Sequence, residues 1–266
     1  MATAGRGERL KPMDVRTGPA LKTAHPFVFF ILYVPFGAVG GFLASVLGYE
    51  LHRAGVTTAQ LSILVVAGLW PNVLKVLWAP LVDTTMTAKR WYVLSVVALG
   101  ASAMLVGVTP LNRGALVYLV PIVLVVSFAS TFVGMAADVL MAHLTLPERR
   151  GRAGGWSQAG NVGGSSLGMG VGLWLATHFS VFVAAGALAT GMIACALPLL
   201  FLPPESREHR RATYRESIGQ VAREVWSVAR SRPGLLAMFV LVLPLGTGVA
   251  SSYFTPIAGD WKASAD

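Results

Sequence analysis

Residues 26–49 read PFVFFILYVPFGAVGGFLASVLGY, a run without a single Asp, Glu, Lys or Arg. A helix of that length rises about 36 Å, and about 20 apolar residues suffice to cross the hydrocarbon core of a bilayer. Six further runs follow: Thr57–Val82, Trp91–Val108, Ala115–Leu146, Gly154–Thr177, Ser180–Leu202 and Leu235–Gly259. Lys75 interrupts the second run and Asp138 the fourth; the others carry no charge. Across 266 residues, 55% are hydrophobic and 12% charged, and the mean hydropathy is +0.65. Soluble domains carry about 25% charged residues. The reading is an all-α polytopic protein whose first partner is the lipid bilayer.

The charges that do occur lie between the runs. Lys and Arg gather in residues 1–25 (Arg6, Arg9, Lys11, Arg16, Lys22), after the second run (Lys89, Arg90), after the fourth (Arg149, Arg150, Arg152) and after the sixth (Arg207 to Arg232). The alternate connections hold only Arg53 and Arg113, with Lys262 near the end. The positive-inside rule therefore predicts a cytoplasmic N-terminus. The net charge of +9 is a topology signal, not a nucleic-acid patch. The expected organisation is a disordered tail over 1–25, six spans over 26–202, a basic cytoplasmic linker over 203–234, and a seventh span over 235–266. Within the linker, Ile218, Val221, Val225 and Val228 recur at helical spacing, which predicts an amphipathic helix on the membrane surface or a solvated connector.

Val34-Pro35-Phe36-Gly37 in the first run is echoed by Leu243-Pro244-Leu245-Gly246 in the seventh. Both follow a basic cytoplasmic segment, so the seventh run reads as the first helix of a second repeat, with no eighth run following it in this sequence. Proline and glycine at Pro35, Gly37, Pro244 and Gly246 predict kinks. Glycines at 160, 164, 168 and 172, each four residues apart, put a smooth stripe on the fifth span, along which another helix can approach and slide.

The two charges within the runs are candidates for function. Lys75 lies about 12 Å in from the cytoplasmic end of its run, and Asp138 about 13 Å in from the same side. Charges at such depth face the protein interior and pair. Lys75 either faces Asp138, shares a water-filled cavity with it, or snorkels to the interface. Asn72, Tyr33, Trp70 and Trp78 are candidates for the cavity wall. Asp83, Lys89 and Arg90 form an acidic–basic turn that is either a latch for another helix end or a solvated turn. The five histidines show no ligand spacing, the one cysteine, Cys195, sits in an apolar run, and no Walker-type phosphate loop is present. These features predict no metal, no cofactor and no ATP-driven motor.

The segment Leu74-Lys75-Val76-Leu77-Trp78-Ala79-Pro80-Leu81-Val82-Asp83 resembles the major facilitator superfamily at the loop between its second and third helices. Against that family's signature, Gly-x-Leu-Ala-Asp-Arg-x-Gly-Arg-Lys, it keeps Leu81 and Asp83 and departs elsewhere, with Lys89 and Arg90 standing in for the displaced basic residues. It is more similar to the muropeptide permease and acetyl-coenzyme A transporter branch, as is Asp138 followed by Pro147-Glu148-Arg149-Arg150-Gly151. The resemblance implies the six-helix N-terminal half of a twelve-helix fold plus the first helix of the second half. It implies secondary transport of a small solute by alternating access in the cytoplasmic (inner) membrane, coupled to H+. Asp138 would bind proton or substrate with Lys75 as its partner, and Asp83 with Arg149 or Arg150 would form a cytoplasmic gate. A separate second half, or another copy of the chain, would be a partner. Two other readings are a truncated, non-transporting membrane protein and a membrane-embedded lipid-modifying enzyme, although no polar cluster at one interface suggests the latter.

Overall fold

The structure is a computed structural model and describes residues 23–203, 219, 223 and 226–242. Among these residues every regular element is helical. Helix α1 (Phe27–Phe42) continues through a π-turn (Leu43–Leu47) into α2 (Gly48–Arg53), and α3 (Thr58–Val73) is followed by α4 (Lys75–Thr84). The long helices α5 (Ala88–Val108), α6 (Leu116–Leu144) and α7 (Arg150–His178) follow, then α8 (Val181–Ala194) and a 3-10 turn (Leu197–Leu200). The last element is α9 (Arg232–Val242), which starts three residues before the predicted seventh run. Pro244, Gly246, most of the predicted amphipathic linker and the N-terminal tail before residue 23 lie outside the described residues.

Helix starts follow their capping chemistry. The Thr57 hydroxyl accepts from the Gln60 N–H at 3.3 Å while the Gln60 side chain accepts from the Thr57 N–H at 3.0 Å. That reciprocal pair satisfies two donors that a helix N-terminus leaves free. Thr87 and Ser180 cap α5 and α8 in the same manner through one bond each. Pro147 opens the short 3-10 turn between α6 and α7, where its missing N–H costs nothing.

Four helices are long and apolar enough to cross a membrane: Phe27–Arg53, Ala88–Val108, Leu116–Leu144 and Val181–Leu200. The second predicted run is broken, because α3 and α4 meet at 48° and count as a fifth span only if taken together. Pro71 lies three residues before the break at Leu74 and leaves the Ala67 carbonyl, one turn earlier, without its helical donor. Helix α7 has the length, about 43 Å, but its glycines, serines and Asn161 dilute its hydropathy. Helix α1 continues through Pro35 and Gly37, and a π-turn follows at Leu43–Leu47. Large apolar side chains point outward, as with Val117 at 76% and Leu200 at 78% exposure. Such a surface suits lipid, which does not penalise apolar exposure.

Helix α1 packs chiefly on α7 and also touches α6; α5 is wedged between α6 and α8; α3 lies on α6. Phe29, Leu32, Phe42, Tyr92, Leu99 and Leu119 are fully buried in this core. Tyr92 ties α5 to α1 by donating to the Leu32 carbonyl at 2.8 Å, in the turn where Pro35 has no N–H to offer. Just before α1, the Ala24 N–H donates to the Leu144 carbonyl at 3.0 Å. The start of α1 is thereby fastened to the end of α6.

Candidate functional site

Helix α6 carries Ser127, Thr131, Gly134 and Asp138, spaced i, i+4, i+7 and i+11, which is one face of a helix. This is the face turned to α1 and α3. At its far end the Tyr33 hydroxyl of α1 donates to Asp138 Oδ1. Tyr33 is buried, Asp138 is half-buried, and Phe36 stands edge-on to the Tyr33 ring at 6.2 Å. The Phe36 ring lies over Gly134, where an added Cβ would come within 3.3 Å of it. Gly134 therefore makes room for the ring that screens one side of the Tyr33–Asp138 pair.

Two turns away, about 10 Å along α6, Thr131 meets Asn72 of α3. The Thr131 hydroxyl lies 2.8 Å from the Ser127 carbonyl and 3.2 Å from Asn72 Oδ1. It has one proton to donate, so it serves either the Ser127 carbonyl or Asn72 Oδ1; with the amide turned, the Asn72 NH2 donates to the Thr131 oxygen while the hydroxyl proton serves Ser127. The other half of the carboxamide faces a cavity of about 250 Å³ between α1, its π-turn, α3 and α6. Ser127 and Ser130 also line this cavity; Leu43, Leu47, Leu61, Leu64 and Val123 form apolar walls.

Of the residues expected to share a site, the structure brings Tyr33 to Asp138 and sets Asn72 further along the same polar face. It does not bring Lys75 to Asp138. Lys75 is the first residue of α4, beyond the break at Leu74, and is exposed; the described residues contain no ion pair between the two. Depth along a helix constrains only one coordinate, and the carboxylate takes a hydroxyl from the neighbouring helix instead. Trp70 is exposed at 54%. Trp78 packs edge-on against Phe128 of α6 at 5.4 Å, and its Nε1 is buried with no partner among the described residues.

The glycine stripe of α7 lies against α1. A Cβ at Gly160, Gly164 or Gly168 would overlap the carbonyl oxygen of Phe30, Val34 or Ala38 respectively, and at Gly172 it would lie 3.0 Å from the Phe42 ring. Helix α1 answers with glycines of its own: a Cβ at Gly37 or Gly41 would overlap the Asn161 or Ser165 carbonyl oxygen. The two helices thus touch backbone to backbone. The side-chain hydrogen bond across this contact comes from Ser45, whose hydroxyl lies 2.9 Å from the Gly41 carbonyl and 3.3 Å from the Met169 carbonyl.

At the end of the bundle nearer Asp138, Lys89 Nζ donates to the Leu202 carbonyl at 2.6 Å, tying the start of α5 to the end of the α8 segment. Arg90, Arg149 and Arg150 are exposed. The Asp83 side chain lies outside the described residues. Among the described residues no group of three or more His, Cys, Asp or Glu is placed to hold a metal ion.

Ser127, Ser130 and Thr131 were not legible as site residues from composition. Their signal is a small polar cluster in an otherwise apolar stretch of the run that carries Asp138.

Apolar helices of membrane-spanning length, one of them broken, around a polar face with a half-buried carboxylate define a polytopic membrane protein. The sequence model of the Major Facilitator Superfamily matches residues 27–260. The chain belongs to this family, whose members are transporters rather than enzymes.

Proposed function

We propose that this chain carries a small solute across the cytoplasmic membrane by alternating access, driven by proton movement, with Asp138 as the protonated group and Tyr33 as the residue that orients it. The observation that carries the reading is the Tyr33–Asp138 hydrogen bond. A carboxylate inside a span is costly and persists where it has a task. Among the described residues it is held by a neutral donor and by no fixed cation, an arrangement suited to the coupling role. Neighbouring Phe36 and Gly134 keep the pair in a narrow, partly dry setting.

The N-terminus lies in the cytoplasm on this reading, and the basic segments mark that side. Asp83, Lys89, Arg90, Arg149 and Arg150 then form the cytoplasmic rim of the pathway, and α9 opens a second structural repeat. The string from Leu74 to Asp83 supports placement near the muropeptide permease and acetyl-coenzyme A transporter branch.

The test is uptake into proteoliposomes with and without an inward proton gradient, using labelled sugars, nucleosides, amino-acid amides and peptidoglycan fragments as candidate solutes. The gradient should stimulate uptake of at least one of them, Asp138→Asn should abolish the stimulation, and Asp138→Glu should keep part of it. Gradient-driven uptake that persists in Asp138→Asn would exclude the coupling role.

A further inference from the structure

We propose that the cavity between α1, α3 and α6 is a binding site for the uncharged polar end of a solute with an adjoining apolar part, and that it rejects charged isosteres. The proposal rests on the transport reading for its purpose and names the substrate class that reading leaves open.

The polar groups in the cavity wall are unsatisfied by protein. Ser127 and Ser130 are each 6% exposed, and neither hydroxyl has a hydrogen-bond partner among the described residues. The half of the Asn72 carboxamide turned away from Thr131 likewise has none. Buried polar groups are almost always paired, and within a membrane no bulk water is at hand to pair them. Two hydroxyls and a half-buried carboxamide that open onto one cavity are placed for a ligand, with water standing in between ligands.

The chemistry of the wall selects the ligand. Two hydroxyls and one half of an amide satisfy a carbonyl, hydroxyl or amide group. They cannot neutralise a charge, and among the described residues no Asp, Glu, Lys or Arg lines the cavity. A charged group brought here would lose its hydration without gaining a counter-ion. The walls opposite the polar corner are Leu43, Leu47, Leu61 and Leu64, which favour an aliphatic or aromatic portion. The space, about 250 Å³, equals the liquid volume of about eight waters at ~30 Å³ each. It takes a compact group or one end of a larger solute. Gly40, Gly48 and Gly68 line the same cavity and keep its walls open.

The experiment is site-directed labelling of the full chain in detergent, in a Cys195→Ser background, with cysteine introduced by Ser127→Cys and, independently, by Ser130→Cys. N-ethylmaleimide labelling is timed in the presence of isobutyramide, of its anionic isostere isobutyrate, and of isobutylammonium. A fragment of this size binds in the millimolar range, so ~50 mM isobutyramide should slow labelling at least about threefold. The two ions should leave the rate unchanged, and Asn72→Leu should remove the protection. Equal protection by either ion, no protection by the amide, or no labelling of either cysteine in folded protein would overturn the proposal. No proton gradient enters the measurement, so selective protection stands even if Asp138→Asn leaves flux intact. Loss of protection likewise leaves the coupling role of Asp138 to its own test.

Discussion

The contact between α1 and α7 gives the sharpest stability prediction, through Gly168→Ala measured against Gly170→Ala. A methyl at Gly168 would overlap the Ala38 carbonyl oxygen and lie 2.7 Å from the Ala38 carbonyl carbon and 2.9 Å from its Cα. Ordinary van der Waals contact begins at 3.4 Å, so two rigid backbones must part to admit it. Gly170, two residues on, has nothing within 4 Å of an added Cβ. Both substitutions gain the same helix propensity, up to ~1 kcal/mol, and that term cancels in the comparison. What remains is the overpacking cost, about 1–3 kcal/mol, since opening a gap of 0.5–1 Å forfeits roughly a quarter to a half of each pair attraction along the seam. For a chain of this size that lowers the midpoint of Gly168→Ala by about 2–10 °C relative to Gly170→Ala. The assay is thermal unfolding in mild detergent, followed by reaction of a thiol dye with Cys195, the one cysteine in the chain, which is half-buried. If Gly168→Ala melts at or above Gly170→Ala, α1 and α7 are not in backbone contact and the account of the glycine stripe is wrong.

Three further outcomes follow from other contacts. Tyr33→Phe keeps the ring but removes the donor to Asp138, and should cut gradient-driven uptake by about tenfold, the equivalent of one charge-assisted hydrogen bond of ~1.5 kcal/mol; unchanged uptake would mean that Tyr33 does not position the carboxylate. Tyr92→Phe removes the hydroxyl that gives the Leu32 carbonyl a second hydrogen bond across helices and should cost about 0.5–1.5 kcal/mol of stability, seen as a lower midpoint in the same dye assay; an unshifted midpoint would show that the bond contributes nothing. Gly55 has φ +83°, and an added Cβ would lie 2.6 Å from the Arg113 guanidinium. Gly55→Ala should therefore lose about 1–2 kcal/mol and Gly55→Asn less, because Asn tolerates the left-handed region; equal midpoints for the two variants would contradict that cause.

The spans were legible because a bilayer demands length and apolarity, and both are written in composition. The glycine stripe was legible because spacing by four residues fixes a helix face. Its partner was not, since a smooth face says that something approaches and not which helix does. Gly37 and Gly41 hold that information, as two glycines at the same spacing in α1, but Pro35 drew attention to a kink instead. A π-turn falls further along at Leu43–Leu47, where Ser45 reaches the α7 backbone. Asp138 could be recognised as a site residue by being a charge in an apolar run. Its partner could not be chosen by depth alone. Lys75 lies at similar depth, but rotation about the helix axis and the break at Leu74 decide which side chains meet.

These contacts set α1 between two neighbours that hold it differently. Against α7 it lies backbone to backbone along the glycines, a smooth seam of close-approaching helices, with the Phe27 and Phe30 rings set edge-on to Trp156 at one end. Against α6 it is held by a directional bond from Tyr33 to Asp138. On the coupling role proposed above, protonation of Asp138 removes the charge from that bond, and a bond to a neutral acceptor is about half as strong. A proton thus loosens α1 from α6 while leaving its track along α7 intact. The π-turn after α1 contributes Leu43 and Leu47 to the cavity wall, so a bound solute presses on the same helical segment further along the face of α6 that carries Asp138. Proton and solute need no direct contact to influence each other, because both act on the position of α1.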